Sequence, residues 1–448
     1  MKIIIAGAGE VGTYLAKMLY RVDHDIIVID SDENKLKNID AHFDFLTVKG
    51  SATSIETLKN SDVARADLII AITEYEEVNM TIAVLGKKLG AKKAIARINN
   101  HEYLEPLNKR FIREMGIDSL IYPEILASEE VVSMLQLSGT SKKFDFSSGH
   151  LSLYVLKLDV NSTIVGKTLL EAARDNEPFD YRTVAISRNS ETIIPHGDDR
   201  FMLGDLVYIV TSKEGIEHLM NYIGKVHFPI KNVMILGGSR IGRKTAKALE
   251  GKFNVKLLEV DKEKSFELAD FLDKTLVVNA DGTDIDVLVE EGIKNMDAFI
   301  SVTGNSETNI LTCTIAKKFG VKKTIAEIEN IDFIQIAENM GIDSVINKKL
   351  IAASHIFSHT MSADVSTVQC LSTTDAEILE FIVHEGSGIL KNSLKNLKFP
   401  KDAIIGGVIR GNISFIAKGD TTFMPNDRVI VFALPEAIKK VNAIFKPR

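Results

Sequence analysis

The sequence predicts an α/β protein built from two doubly wound parallel sheets, each followed by a small α+β unit. Three observations carry this expectation. Strand-length apolar runs alternate with amphipathic helix-length stretches. Residues Lys2–Gly12 (KIIIAGAGEVG) and Asn232–Gly242 (NVMILGGSRIG) both lead an apolar segment straight into a glycine turn. The chain also repeats itself about half its length apart.

The repeat is detailed. Gly7, Gly12, Ala16, Lys17 and Leu19 match Gly237, Gly242, Ala246, Lys247 and Leu249 at an offset of 230. One deletion later, IIVID ending at Asp30 matches KLLE ending at Glu259, and Val48–Leu58 matches Val278–Leu288. Ala66–Asn79 matches Met296–Asn309, and the pentapeptide MGIDS stands at Met115 and again at Met340. FMLGDLVYIV from Phe201 resembles FMPNDRVIVF from Phe423. The organisation is A–B–A′–B′, with A at 1–137, B at 138–224, A′ at 230–362 and B′ at 363–448. The HFP segment His227–Pro229 sits where the halves join.

In A the apolar runs Ile3–Ala6, Ile26–Ile29, Leu68–Ile72 and Ala94–Ile98 read as strands buried on both faces. Intervening helices, such as Gly12–Tyr20, form the crossovers. The first turn carries G-x-G-x-x-G at Gly7, Gly9 and Gly12. It follows a strand and opens a helix, and Asp30 ends the next strand, so the context matches a dinucleotide-binding turn. Gly7 permits the tight turn, Gly9 the approach of a pyrophosphate, and Gly12 close helix–strand packing. Phosphates then sit on a helix N-terminus, where amides and the macrodipole favour anions. Asp30 would accept a ribose hydroxyl and repel a 2′-phosphate, which favours NAD over NADP. A tight turn without ligand is the alternative.

In A′, Ser239 replaces the middle glycine, Arg240 and Arg243 add positive charge, and Glu259 keeps the acidic position. A nucleotide site and a degenerate structural copy both remain open there. Later strand ends also face the ligand crevice of such a sheet, which places Ser51, Ala52, Thr73, Glu74 and Arg97 beside it. The counterpart of Arg97 is Glu327, so the two sites differ electrostatically.

Composition narrows the function classes. The 448 residues are 45% hydrophobic and 26% charged, ordinary for globular domains, and the net charge of −7 argues against nucleic acid as the main partner. The two cysteines, Cys313 and Cys370, build no disulfide framework or cysteine-rich zinc site. No apolar run approaches the ~18 residues of a membrane helix, so a cytoplasmic location is expected. No tyrosine is followed by Lys four residues later, and H-E-x-x-H, G-x-S-x-G and the P-loop pattern are absent. His355 and His359 have a metal-capable spacing, but an ordinary helix face is the favoured reading. Cys313 reads as a small buried helix residue. B runs as strands over Leu151–Leu158, Thr183–Ile186 and Leu206–Val210, with a helix starting near Val165. B′ repeats it without convergent acid–base groups, so assembly or ligand sensing is expected of both, and Asp205 and Asp427 read as turn residues.

These residues carry a family resemblance over essentially the whole chain. Paired glycine-turn units, each followed by a small FMxxDxVxI-type unit, resemble the RCK (regulator of K⁺ conductance, or KTN) family, in the tandem form found in regulatory subunits of Trk-type potassium uptake. The resemblance implies that A and A′ are RCK N-terminal domains and B and B′ RCK C-terminal domains. It implies a homo-oligomeric ring, a dimer or tetramer, on the cytoplasmic face of a TrkH- or TrkG-type potassium transporter, with NAD(H) or ATP/ADP setting the ring's shape. Carried residue by residue, the first site comprises Gly7, Ala8, Gly9, Glu10, Val11 and Gly12, with Asp30, Ser51, Ala52, Thr73, Glu74 and Arg97. The second comprises Gly237, Gly238, Ser239, Arg240, Ile241 and Gly242, with Glu259, Asp281, Gly282, Thr303 and Gly304. Pro123–Glu124 resembles a divalent-cation position of some members, although a helix-start carboxylate is the favoured reading and no metal is expected. The functional expectation is a non-enzymatic nucleotide-binding regulator. The rivals are a soluble NAD-dependent oxidoreductase and a nucleotide sensor for another cation transporter.

Overall fold

A computed structural model describes residues 1–21, 24–40, 45–136, 140, 142–146, 150–175, 181–189, 191–224, 228–360, 365–370 and 376–447. His227, the boundaries near 137–138 and 362–363, and the Cys370 side chain lie outside the described residues.

The first segment runs β1 (Lys2–Ala6), α1 (Glu10–Arg21), β2 (Asp25–Asp30), α2 (Glu33–Asp40), β3 (Leu46–Lys49) and α3 (Ile55–Asn60). It continues with β4 (Leu68–Ala71), α4 (Glu76–Lys88), β5 (Lys93–Arg97), α5 (Pro106–Glu114), β6 (Ser119–Ile121) and α6 (Pro123–Gln136). Next come β7 (Lys142–Asp145), β8 (Leu151–Lys157), α7 (Leu169–Asp175), β9 (Tyr181–Arg188), β10 (Glu191–Ile193), β11 (Leu206–Ser212) and α8 (Lys213–Ile223). The second glycine-turn segment repeats the first as β12 (Asn232–Leu236), α9 (Arg240–Leu249), β13 (Asn254–Glu259), α10 (Lys262–Phe271), β14 (Leu276–Asn279) and α11 (Ile285–Glu290). It closes with β15 (Ala298–Ser301), α12 (Ser306–Lys318), β16 (Lys323–Glu327), α13 (Asp332–Asn339), β17 (Ser344–Ile346) and α14 (Lys348–Ser358). The last strands are β18 (Val365–Cys370), β19 (Glu377–Ile382), β20 (Ala403–Arg410), β21 (Ile413–Ile416) and β22 (Arg428–Ala433), before α15 (Pro435–Phe445).

The chain packs as two compact units, Met1–Leu126 with Lys348–Ala363, and Ala127–Asn347 with Asp364–Arg448. In the first, six parallel strands are ordered β3-β2-β1-β4-β5-β6, the doubly wound arrangement expected. β1 is central, with Ile5 paired to Val28 on one side and Ile70 on the other. Ile3, Ile4 and Ile5 are fully buried. Each contributes about 1.5–3 kcal/mol on burial, which is why KIIIA forms an inner strand. The order reverses between β1 and β4, and that switch point opens the crevice in which such sheets bind ligands. α14, although it follows the second repeat, packs here against α1.

In the second unit, a parallel sheet of order β14-β13-β12-β15-β16-β17 repeats the same topology. Two antiparallel sheets accompany it, β10-β9-β11-β8-β7 and β18-β19-β22-β20-β21, with equivalent strand orders. Their inner faces share one apolar core, in which Leu151, Val155, Tyr208 and Val210 meet Ile378, Ile409, Ile430 and Phe432. The FMxxD repeat closes a turn in each sheet. Arg188 grips the fully buried Asp205 carboxylate through two 2.8 Å hydrogen bonds, and Met202 N donates to the same carboxylate. Arg410, Asp427 and Met424 N repeat this arrangement. These aspartates hold turns, as their sequence context suggested.

Candidate functional site

The first glycine turn lies at the C-terminal end of β1. Gly7 has φ +116°, and a Cβ there would stand 3.1 Å from the backbone of Ile72 and Thr73. Gly12 cannot carry a side chain at all, because its Cβ would fall 1.9 Å from the Gly7 carbonyl oxygen. Gly9 differs, since a Cβ there meets nothing within 4 Å. The space above Gly9 is open, and glycine supplies no side chain to cap α1. Its first-turn amides are thus left to a ligand, the condition for an anion site.

Asp30 ends β2 against this turn. Ala8 N donates to its Oδ2 at 2.7 Å and Asp32 N to its Oδ1 at 2.8 Å, which fixes the carboxylate half-buried beside the crevice. Ser51 and Ala52 follow β3, where Gly50 N donates to the Asp30 carbonyl at 3.0 Å. Thr73 and Glu74 follow β4, with Glu74 exposed. Arg97 ends β5, and its buried Nε has no hydrogen-bond partner.

One residue in this region was not singled out from sequence. Asn79, 1% exposed on α4, accepts from Thr73 N and Thr73 Oγ1, both at 2.7 Å. It donates to the carbonyls of Thr73 and Arg97 at 3.1 and 3.0 Å, tying the ends of β4 and β5 together. Asn309 does the same for Thr303 and Glu327. The signal was present, because both asparagines close the matched stretches ADLIIAITEYEEVN and MDAFISVTGNSETN.

The second turn has the same backbone and different chemistry. Gly237 has φ +102°, and a Cβ on Gly242 would stand 2.0 Å from the Gly237 carbonyl oxygen. Ser239 caps α9, its hydroxyl accepting from Gly242 N at 3.3 Å, so one amide of this helix mouth is already satisfied. Glu259 is buried, accepts from Gly238 N at 2.8 Å and Asp261 N at 3.0 Å, and pairs with Lys264 at 2.8 Å. Burial works against its charge, but Lys264 and the two amides outweigh it and hold the carboxyl below its usual range. A Cβ on Gly238 would meet Leu268 Cδ1 at 2.3 Å. Arg243 lies over the Phe271 ring, 3.8 Å from its centre, rather than standing as an isolated cation. Asp281 is bonded to Thr283, Gly282 packs under Leu236, and Gly304 faces open space. The residues of the first site fit a dinucleotide. Those of the second leave less room and fewer unused amides.

The remaining chemistry-bearing residues are quiet. The rings of His355 and His359 lie 5.3 Å apart and tilted by 56°, and burial lowers both below the usual imidazole range. Cys313 is fully buried, its thiol pushed well up by burial, with Sγ donating to the Ile325 carbonyl at 3.4 Å. Glu124 is buried in the first turn of α6. Among the described residues no three His, Cys, Asp or Glu side chains form a metal cluster, and no helix is long and apolar enough to cross a membrane.

Fold and site together define a tandem pair of Rossmann-like doubly wound units, each followed by a small antiparallel-sheet domain. The TrkA-N domain model matches residues 3–123 and 233–348, and the TrkA-C domain model matches 153–224 and 378–446. The chain is 33% identical to the Trk system potassium uptake protein TrkA of Haemophilus influenzae, covering 100% of this chain and 99% of that one. It is also 33% identical to a TrkA homolog of Archaeoglobus fulgidus, over the whole of both chains. The chain belongs to the TrkA family of Trk system potassium uptake proteins. Among solved structures, the GsuK RCK domain shares the fold at 17% identity and TM-score 0.60, covering 99% of this chain and 94% of that one. The GsuK channel bound to NAD aligns at 16% identity and TM-score 0.59, covering 99% and 78%.

Proposed function

We propose that this chain is a non-enzymatic regulatory subunit that binds NAD(H), or adenine nucleotides such as ATP and ADP, and gates a membrane potassium transporter of the TrkH/TrkG type. In this reading the segments 1–137, 138–224, 230–362 and 363–448 act as four alternating domains. The protein closes into a homo-oligomeric ring, a dimer or tetramer, held peripherally on the cytoplasmic face of the membrane. The observation that carries the reading is the mouth of α1: uncapped amides, open space above Gly9, and Asp30 fixed beside it, with no acid–base group among the described residues converging on the same crevice. The potassium-uptake names of the relatives and the NAD-bound GsuK channel support the nucleotide and transport parts.

A ligand shifts a ring only if it binds one shape more tightly. Gly7, Gly9 and Gly12 admit the diphosphate, Asp30 takes the ribose, and Arg97 supplies a cation at the end of β5. Calorimetry of NADH binding to the full chain and to Asp30→Ala tests the site. The variant should keep its fold and lose at least about tenfold in affinity, in line with one charged hydrogen bond. Equal affinities, or sustained NADH production from a small alcohol or amino acid, would overturn the reading. Affinity capture from native membranes should recover an integral potassium transporter. A set of purely soluble partners would defeat that part.

A further inference from the structure

We propose that Lys349, on the helix that follows the second repeat, is a phosphate-binding residue of the first nucleotide site. This rests on the nucleotide-binding reading of that site. α14 packs against α1 in the same compact unit, and the Lys349 ammonium forms an ion pair with the Glu10 carboxylate. Glu10 is the first residue of α1, directly after Gly9, where the diphosphate would dock.

The two partners are held very differently. The Lys349 side chain is 17% exposed, whereas that of Glu10 is 72% exposed. In the ligand-free protein, a carboxylate at the first helical position is favourable to the macrodipole and neutralises the lysine. A diphosphate arriving on the same amides places two further negative charges beside Glu10. The exposed glutamate can swing into solvent at little cost, while the packed lysine stays at the helix mouth. Lys349 then exchanges a carboxylate oxygen for a phosphate oxygen.

The second repeat supports the need for such a cation. Its residue at the position of Glu10 is Arg240, which puts a positive charge at the start of α9 from the site's own segment. The first site has an acid there and takes its cation from α14. Nucleotide occupancy near residue 10 would thus depend on where residues 348–358 are held, which gives the site a direct handle on a distant part of the chain.

The test compares NADH affinity at low ionic strength for the full chain and for Lys349→Met, Lys349→Arg, Glu10→Gln and Asp30→Ala. A lysine that only ties α14 to α1 predicts that Lys349→Met and Glu10→Gln, which break the same pair, shift affinity in the same direction. A phosphate ligand predicts opposite signs. Lys349→Met should weaken binding about tenfold, Lys349→Arg should restore most of it, and Glu10→Gln should tighten it a few-fold, by removing the competing acid. Shifts of the same sign overturn the proposal while leaving the site intact. No effect of Asp30→Ala, or no NADH binding by the parent, overturns the site reading and the proposal with it.

Discussion

Asn79→Ala is the most informative single change at the crevice. The truncation removes four hydrogen bonds that join the ends of β4 and β5. Thr73 is half-buried, so water can replace the partners of its hydroxyl and carbonyl. The Arg97 carbonyl and the Thr73 amide lose theirs with less recourse. Two such bonds at about 1–1.5 kcal/mol each give about 2–3 kcal/mol of local stability. In a chain of two compact units a single unfolding free energy is ill-defined, so local opening is the better observable. Native-state hydrogen exchange at the Thr73 amide should accelerate about 30- to 160-fold, with Asn309→Ala doing the same at Thr303. Protection at Thr73 unchanged within about threefold would refute the assignment of the clamp.

Two glycines and a lysine offer further checks. Gly9→Ala should leave thermal stability nearly unchanged and abolish NADH binding, since its Cβ meets no protein atom but stands where the diphosphate would lie. Gly12→Ala should destabilise the first unit itself, because of the 1.9 Å approach to Gly7; thermal melts with calorimetry distinguish the two. Lys323 is fully buried, donates to the Thr140 carbonyl and Ser344 Oγ, and burial depresses its ammonium to about 8 despite Asp343. Between that value and the ordinary 10.5 the unfolded chain binds a proton that the folded chain lacks. Stability therefore rises with pH through this window and is flat below it. Relative to the parent, Lys323→Met should lose about 2 kcal/mol between pH 8 and 10, read from the melting of the second unit.

Much of this was legible because it is local. A glycine turn, an acid at a strand end and continuous apolar runs each declare themselves within a dozen residues, and the internal repeat supplied a second reading of every element. The strands over Ile3–Ala6, Ile26–Ile29 and Leu68–Ile72 form as expected. The short edge strands β7 and β10 escaped notice because KKFD and ETI carry no period. The destination of α14 was equally hidden, since nothing in KKLIAASHIFS says that its partner helix begins at Glu10. The weakness of the second site was half visible. Ser239 announced a lost glycine, but its role as a cap, and the closure of Glu259 by Lys264, depend on side chains meeting across the turn.

The shared core of the two antiparallel sheets carries a further consequence. A Cβ on Gly406 would stand 3.0 Å from Val210 and 3.1 Å from Val184, and one on Gly407 would stand 2.7 Å from Leu151. Protrusions on one copy thus fill hollows that exist only on the other. In a dimer of identical chains every interface residue occurs twice, and such lopsided fitting is unavailable. Joined in one chain, the two copies need not complement themselves, and here they fit as tenon and mortise. Severed halves would each carry half a joint, and each would prefer the other to its own kind.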